Sequence, residues 1–444
     1  MSRKYFGTDG VRGLAGQHPM TAEFAFKLGI AATEALKHQG IKHPKFTLGM
    51  DTRRSARMLA HAMSSALMSR GASIILLDVM PTPGVSYLTR TLGADAGIVI
   101  SASHNPFYDN GIKFFNAQGE KLNDEVELEI ERWLEQGSGD LVPITGEAIG
   151  NSQRYRLEQD DYYSFLLDNG PRLKGMHIAI DCAHGASYAL APRLFKALGA
   201  KVEVIGAEPD GLNINVDCGS THPETLIDKV LKEDLDFGIA FDGDADRALL
   251  VDRKGRLVTG DHILTICALV RKERAVAATL MSNLGVENYL KNRGVYMIRT
   301  KVGDRYVHEA LLENDLNLGG EQSGHMLFLD KAPTGDGLLT ALQTLLAVEK
   351  SEQSLEAWMD DIPLYPQTLV NVKVPAALKA TLEAHPIVAA AVKDAQGQLG
   401  EEGRINLRPS GTEPLIRVMV EGSSQEQINR IAKTVADAVE SVSA

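Results

Sequence analysis

The chain has 444 residues, 44% of them hydrophobic, and a formal net charge of −12. That size allows several cores, about two to four domains. The acidic balance excludes a general basic footprint for nucleic acid, so any anion must be met by a local arginine cluster.

Cys182, Cys218 and Cys267 are scattered without metal-type spacing, as expected of reduced thiols in a cytoplasmic protein. The opening Met-Ser-Arg-Lys-Tyr-Phe-Gly has no apolar signal core, and no apolar run approaches the roughly 20 residues of a membrane span.

In chain order, Phe46 to Met50 reads as a short apolar strand. Met58, Leu59, Ala62, Met63, Ala66 and Leu67 repeat at the helical period within a helix from Ser55 to Arg70. Gly71 stops it. Strands follow at Ile74 to Val79 and Gly97 to Ile100, a βαβ pattern that implies parallel pairing. Glu135 to Ser152 lacks periodicity and reads as a linker.

A second α/β run has a strand from His177, a helix around Ser187 to Leu198, a strand at Val202 to Ile205, a helix from Pro223 to Lys232 and a strand at Phe237 to Phe241. A third has a helix at His262 to Val270, a strand at Thr279 to Ser282, a piece at Val295 to Arg299, and helices from Gly303 to Leu312 and Gly335 to Glu349. The last stretch is a smaller α+β unit: a strand at Leu369 to Val374, an Ala-rich helix from Pro375 to Val392, strands at Arg404 to Leu407 and Leu415 to Val420, and an amphipathic helix from Gln425 to Val442. The expected fold class is therefore α/β with four domains, at 1–153, 154–254, 255–366 and 367–444, whose loops converge on a central cleft.

Four motifs carry chemistry. Ser101-Ala-Ser-His-Asn-Pro106 follows a buried strand, at the carboxyl end where α/β sheets place their sites. Ser103 is a candidate phosphoryl carrier on a turn fixed by Asn105 and Pro106, although a plain polar turn has the same residues. Asp242-Gly-Asp-Ala-Asp-Arg247 also follows a buried strand. Its three alternate carboxylates suit one hard cation. A calcium loop of the EF-hand type fails, because Arg247 stands where Gly is needed and Arg253 where Glu is needed. Arg408-Pro-Ser-Gly-Thr-Glu413 followed by Arg417 is the arginine cluster the acidic chain needs: two guanidinium forks beside hydroxyls and turn N–H groups suit phosphate. Gly319-Gly-Glu-Gln-Ser-Gly-His325 offers Glu321 and Ser323 as short polar hooks for sugar hydroxyls.

In order and spacing, these motifs resemble the α-D-phosphohexomutase family across essentially the whole chain. The resemblance implies three related α/β domains around mixed sheets and a smaller C-terminal phosphate-binding domain. It implies a phosphoserine at Ser103, and one Mg²⁺ held by Asp242, Asp244, Asp246 and a phosphate oxygen on Ser103. Glu321 and Ser323 would read the sugar. Arg408, Ser410, Gly411, Thr412 and Arg417 would hold the phosphate that is not reacting. By the same likeness Arg12, in Phe6-Gly-Thr-Asp-Gly-Val-Arg-Gly13, is an active-site arginine. Lys113 and His325 stand beside the reacting oxygen, and Arg247 offsets charge on the phosphate.

The opening FGTDGVRG and the loop GGEQSGH look like the members acting on glucosamine phosphates. That implies glucosamine 1,6-bisphosphate as intermediate, a role in supplying UDP-GlcNAc and cell-wall synthesis, a phosphoryl donor or kinase that first charges Ser103, and a possible homodimer. A mutase of glucose or mannose phosphates, a sugar-phosphate phosphatase and a non-catalytic sensor are the rival readings.

Overall fold

A computed structural model describes residues 3–7, 9–137, 139–155, 161–375, 378, 381–409 and 415–443, without the side chain at position 383. Residues 1–280 with 298–357 form one compact unit, and residues 281–297 with 358–444 form another.

The larger unit is built on three mixed sheets. In the first, of six strands, Ala96–Ile100, Lys45–Met50, Ser73–Val79 and Ser152–Arg154 run parallel, while Asp109–Asn116 returns antiparallel to Ala96–Ile100 and pairs antiparallel with Val11–Leu14. In the second, of five strands, Lys201–Ile205, His177–Asp181 and Phe237–Phe241 are parallel, and Ala248–Asp252 returns antiparallel to Phe237–Phe241. In the third, Ala275–Thr279 is parallel to Leu318–Gly320, and Met326–Phe328 returns antiparallel to Leu318–Gly320.

The same corner thus occurs three times: a buried strand, a short loop, and an antiparallel return. A parallel crossover needs about a dozen residues or more, so loops this short force the chain to turn back on itself. The serine loop, the three-aspartate loop and the Glu321 loop each occupy one such corner.

Packing fixes the corners. Phe46, Leu48, Met63, Leu67 and Phe114 are buried in the core of the first sheet. Helices Ala22–His38 and Arg54–Ser69 pack together over it. They approach closely at Gly29, where a Cβ would stand 2.7 Å from that of Ala66. The smaller unit contains a three-stranded antiparallel sheet, with Leu415–Gly422 between Gln367–Lys373 and Gly403–Pro409. Helices Pro386–Leu399 and Gln425–Ser443 cover it, burying Val388, Leu399, Ile428, Ile431 and Val435.

Three expected elements are corrected. The stretch from Glu135 to Ser152 is not all linker: the helix Asp124–Gln136 runs into it, and Ser152–Arg154 adds a strand to the sheet edge. The strand expected at Thr279 to Ser282 lies earlier, at Ala275–Thr279, and Asn283 caps the next helix, Leu284–Lys291, by accepting from the Gly285 N–H. The helix expected from Pro375 starts at Pro386, because the residue before proline is driven out of the helical region; His385 is the extended N-cap. Part of that expected helix, at 376, 377, 379 and 380, lies outside the described residues. Among the described residues no helix is long and apolar enough to cross a membrane.

Candidate active site

The apolar strand Ala96–Ile100 is buried along its whole length and delivers Ser101 to its carboxyl end. Asn105 closes a turn back to the Ala102 carbonyl, and Asp109 another to Pro106. Between them Ser103 adopts a left-handed backbone, φ +53°, rare for a residue with a side chain. Its N–H donates to Ser101 Oγ at 3.0 Å, and its Oγ donates to Asp242 Oδ2 at 2.5 Å. The fully buried Arg53 guanidinium donates to the carbonyls of Ser103, Asn105, Pro106 and Asp109, while Asp51 accepts from Arg53 Nε and Ser101 Oγ.

Asp242, Asp244 and Asp246 are all buried, and each offers a carboxylate oxygen within 4.8 Å of the others. Burial, together with the charges of Asp246 and Asp244, pushes the Asp242 carboxyl well above the ordinary range. Burial also opposes charge on Asp246, but Lys113, His325 and Arg247 outweigh it and hold that carboxyl well below the usual range. Among the described residues Asp244 Oδ1 is buried with no hydrogen bond. Asp246 Oδ1 is likewise buried without one, and three crowded hard carboxylates with such oxygens are a donor set suited to Mg²⁺.

Lys113 stands on the returning strand Asp109–Asn116, 2% exposed, with Nζ 2.9 Å from Asp244 Oδ2, 3.0 Å from Asp9 Oδ2 and 3.6 Å from Asp246 Oδ2. Burial penalises its charge, yet these three carboxylates raise its pKa well above that of a free lysine. His325 Nδ1 lies 3.5 Å from Asp246 Oδ1, and its Nε2 lies 3.5 Å from Asp304 Oδ2. Burial lowers the imidazole pKa, but Asp246, Asp304 and Glu321 outweigh burial and lift it to about 9. His104, beside the serine, goes the other way: burial, then Arg247 and Arg12, push it down to about 4. An imidazolium and a neutral imidazole therefore share one site at neutral pH.

Of these groups Ser103, His104, Asp246 and His325 line a cleft of about 470 Å³, together with Arg12, Arg247, Gly303, Asp304 and Glu321. Arg12 pairs with Asp9, and Arg247 Nε lies 3.7 Å from Asp246 Oδ1. Glu321 Oε1 accepts from the Gly303 N–H at 3.1 Å. Ser323 stands outside this lining, and its Oγ is buried without a hydrogen-bond partner among the described residues.

In the smaller unit, Arg408 and Arg417 sit directly opposite each other on neighbouring strands. Ser410, Gly411 and Thr412 lie outside the described residues. Sequence reasoning missed Asp9, His104, Lys121 and Asp304. Lys121 Nζ bridges Asp9 Oδ1 and Asp304 Oδ2 at 2.6 Å each, so the cleft's cations and anions form one network. The Asp within the FGTDGVRG opening was the available signal for Asp9; Lys121 and Asp304 carry no local signal.

Four profiles, all of the phosphoglucomutase/phosphomannomutase type, match the chain in sequence: the α/β/α domains I, II and III over residues 3–139, 160–255 and 259–365, and the C-terminal domain over 369–438. A phosphoglucosamine mutase of Deinococcus deserti is 52% identical over 99% of this chain and 98% of its own length. One of Thermus thermophilus is 50% identical over the same shares. Among solved structures, a phosphoglucomutase/phosphomannomutase family protein of Burkholderia thailandensis superposes with a TM-score of 0.81 at 22% identity, covering 99% of this chain and 98% of its own. An N-acetylphosphoglucosamine mutase of Aspergillus fumigatus, solved with GlcNAc-6P and magnesium, gives 0.65 at 18% identity, covering 100% of this chain and 96% of its own. At those identities the two structures speak for the fold.

Proposed function

The chain belongs to the phosphoglucomutase/phosphomannomutase family, and from that premise we infer that it interconverts glucosamine 6-phosphate and glucosamine 1-phosphate. It is an isomerase of the phosphotransferase kind, placed in amino-sugar metabolism. The observation that carries the reading is Ser103 Oγ, buried against Asp242 within the three-carboxylate cluster at the edge of a charged cleft.

In this reading Ser103 carries a phosphoryl group, first supplied by an activating phosphoryl donor or kinase. O1 of glucosamine 6-phosphate attacks that phosphorus in line; the bond to Ser103 Oγ breaks, and glucosamine 1,6-bisphosphate results. The sugar turns over, Ser103 Oγ attacks the 6-phosphoryl group, and glucosamine 1-phosphate leaves. Asp242, Asp244 and Asp246, with a phosphate oxygen on Ser103, would hold one Mg²⁺, which when bound neutralises charge on the transferring group.

Arg12 and Arg247 add positive charge at the reacting end. Lys113 and His325 serve as acid or base for the sugar oxygen, so that the proton shed by the hydroxyl that attacks phosphorus is taken up and one is returned to the oxygen whose bond to phosphorus breaks. His104, uncharged, accepts or donates a hydrogen bond without adding charge. Glu321 and Ser323 read the 3- and 4-hydroxyls, which occupy similar places in both sugar orientations. Arg408, Ser410, Gly411, Thr412 and Arg417 grip the idle phosphate. The domain limits 1–153, 154–254, 255–366 and 367–444 belong to the same reading.

Phosphorus NMR of the protein with glucosamine 6-phosphate, Mg²⁺ and a trace of bisphosphate tests it: the 1-phosphate should grow in without stoichiometric free phosphate. Free phosphate alone would make the protein a phosphatase. Values of kcat/KM for glucosamine, glucose and mannose phosphates should rank glucosamine first and glucose slower but detectable. Mannose phosphate as the best substrate would overturn the sugar assignment.

A further inference from the structure

The nucleophile and the carboxylates come from different sheets, 139 residues apart in sequence at the Ser103–Asp242 contact. Phosphoryl transfer tolerates little drift between such groups, since about 1 Å of misplacement can cost on the order of a hundredfold in rate. Two buried side chains bridge the two loops in opposite directions.

Thr82 opens the helix Thr82–Thr91 beneath the first sheet, between Pro81 and Pro83, and is 3% exposed. Its Oγ1 donates to Asp244 Oδ2 at 2.6 Å, and its N–H donates to the Asp244 carbonyl at 2.9 Å. Asp244 is therefore held by side chain and backbone together, from the domain that owns the serine.

Asn215 makes the reverse reach. It lies in the loop region of the second sheet, 8% exposed, in a left-handed conformation with φ +59°, and its N–H is tied to the Ala183 carbonyl at 2.9 Å. Its Nδ2 donates to the Ser103 carbonyl at 2.9 Å and to the Asn105 carbonyl at 3.1 Å. Arg53 Nη2 donates to the same two carbonyls, at 2.9 and 2.8 Å, from the serine's own side. Each carbonyl thus receives one bond from each domain. The contact is also close-packed: a Cβ on Gly243 would fall 2.6 Å from the Ser103 carbonyl oxygen and 2.8 Å from Asn215 Nδ2.

We propose that Thr82 and Asn215 are reciprocal positioning residues, a two-way clasp that fixes the serine loop and the aspartate loop at transfer distance. The proposal rests on the phosphoryl-transfer reading above. Neither residue lines the cleft, so each acts through the group it holds.

The test uses the full-length enzyme with Thr82→Val, which keeps the shape but not the hydroxyl; Thr82→Ser, which keeps the hydroxyl; and Asn215→Gly, which keeps access to the left-handed backbone but not the amide. Metal affinity is read directly by Mn²⁺ titration followed by electron paramagnetic resonance, apart from turnover. Thr82→Val should weaken Mn²⁺ binding about 10- to 100-fold, the usual cost of losing a partner behind a metal ligand, while Thr82→Ser stays within about twofold of wild type. Asn215→Gly should lower kcat by about the same factor and leave KM within about twofold, because it moves the nucleophile and not the sugar contacts. The double variant should lose less than the product of the single losses, since both act on one separation.

Wild-type Mn²⁺ affinity in Thr82→Val, or an Asn215→Gly protein with a lowered Tm and an unchanged kcat, would overturn the proposal. Should Thr82→Val fail to fold, Asn215→Gly decides it alone. A wild-type protein inactive on glucosamine phosphates would sink the substrate assignment while leaving the Mn²⁺ comparison intact.

Discussion

The antiparallel strands Gly403–Pro409 and Leu415–Gly422 pair charges in two opposite ways. At one point Arg404 faces Glu421, with Nε 2.5 Å from Oε2; further along, Arg408 faces Arg417. The first is a satisfied cross-strand ion pair. The second places two residues of like charge opposite each other in register, a pairing that costs stability in a ladder. The cleft of the larger unit solves the same problem internally, surrounding the buried Lys113 with Asp9, Asp244 and Asp246. Where the protein supplies both signs, the charges are fixed before substrate arrives. On the hairpin the same ladder holds one pair of opposite sign and one of like sign.

That contrast can be broken experimentally, and the largest effect belongs to the cleft. Ser103→Ala should fold, carry no phosphate by intact-mass analysis, and lose mutase activity by at least about a thousandfold, as removal of a nucleophile does. Robust turnover in that variant would end the phosphoserine mechanism. Next, Asp244→Asn removes one charge from the carboxylate cluster and should weaken Mg²⁺ binding by about 10- to 100-fold, measured by calorimetry; activity that survives thorough chelation would contradict a metal site here.

On the hairpin, Arg408→Gln and Arg417→Gln should each cost about 1.5–3 kcal/mol in kcat/KM, roughly 10- to 150-fold, from losing a charge-assisted hydrogen bond. Both reaction directions should suffer, because either end of the sugar uses the same grip in turn. A loss in one direction only would separate these arginines from the idle phosphate.

The smallest effect is one of pH. The folded value of His325, about 9, lies above the ordinary 6.5. Its imidazolium therefore stabilises the fold fully below about pH 6.5, and the contribution fades as pH climbs through about 9. In chelator, the Tm gap between wild type and His325→Gln should be widest near pH 6 and close toward pH 10. A gap that widens with rising pH would mean the imidazole is neutral when folded.

Much of this was legible in sequence because it is local. A run such as Gly97-Ile-Val-Ile100 followed at once by Ser101-Ala-Ser-His-Asn-Pro106 announces both the strand and the loop it delivers, and Phe237 to Asp246 does the same. The strand Ala275–Thr279 reads too late in sequence because three of its five residues are alanine, too small to mark a strand edge against the apolar Leu280 and Met281. The helix at Pro386 reads too early because an Ala-rich stretch looks helical on both sides of the proline that starts it. Arg53, Thr82, Asn215 and Lys121 were illegible for a different reason. Each acts on a partner far along the chain, such as Thr82 on Asp244 at a separation of 162 residues, and nothing in the surrounding residues announces such a partner.

The repeated corner carries a consequence for re-engineering. Because Ser103, the three aspartates and Glu321 each occupy a separate strand-to-strand return, each loop can be exchanged between strands that stay in place. The return from Leu318–Gly320 to Met326–Phe328 leaves Ser103 and Asp242 outside it, but a graft there must keep His325, whose ring faces Asp246 and Asp304. Its graft junctions are already specified by register, with Leu318 opposite Phe328 and Gly320 opposite Met326. Gly320 must stay glycine in a graft that keeps Met326 and His325, because a Cβ there would fall 2.4 Å from the Met326 sulfur and 2.8 Å from the His325 carbonyl oxygen.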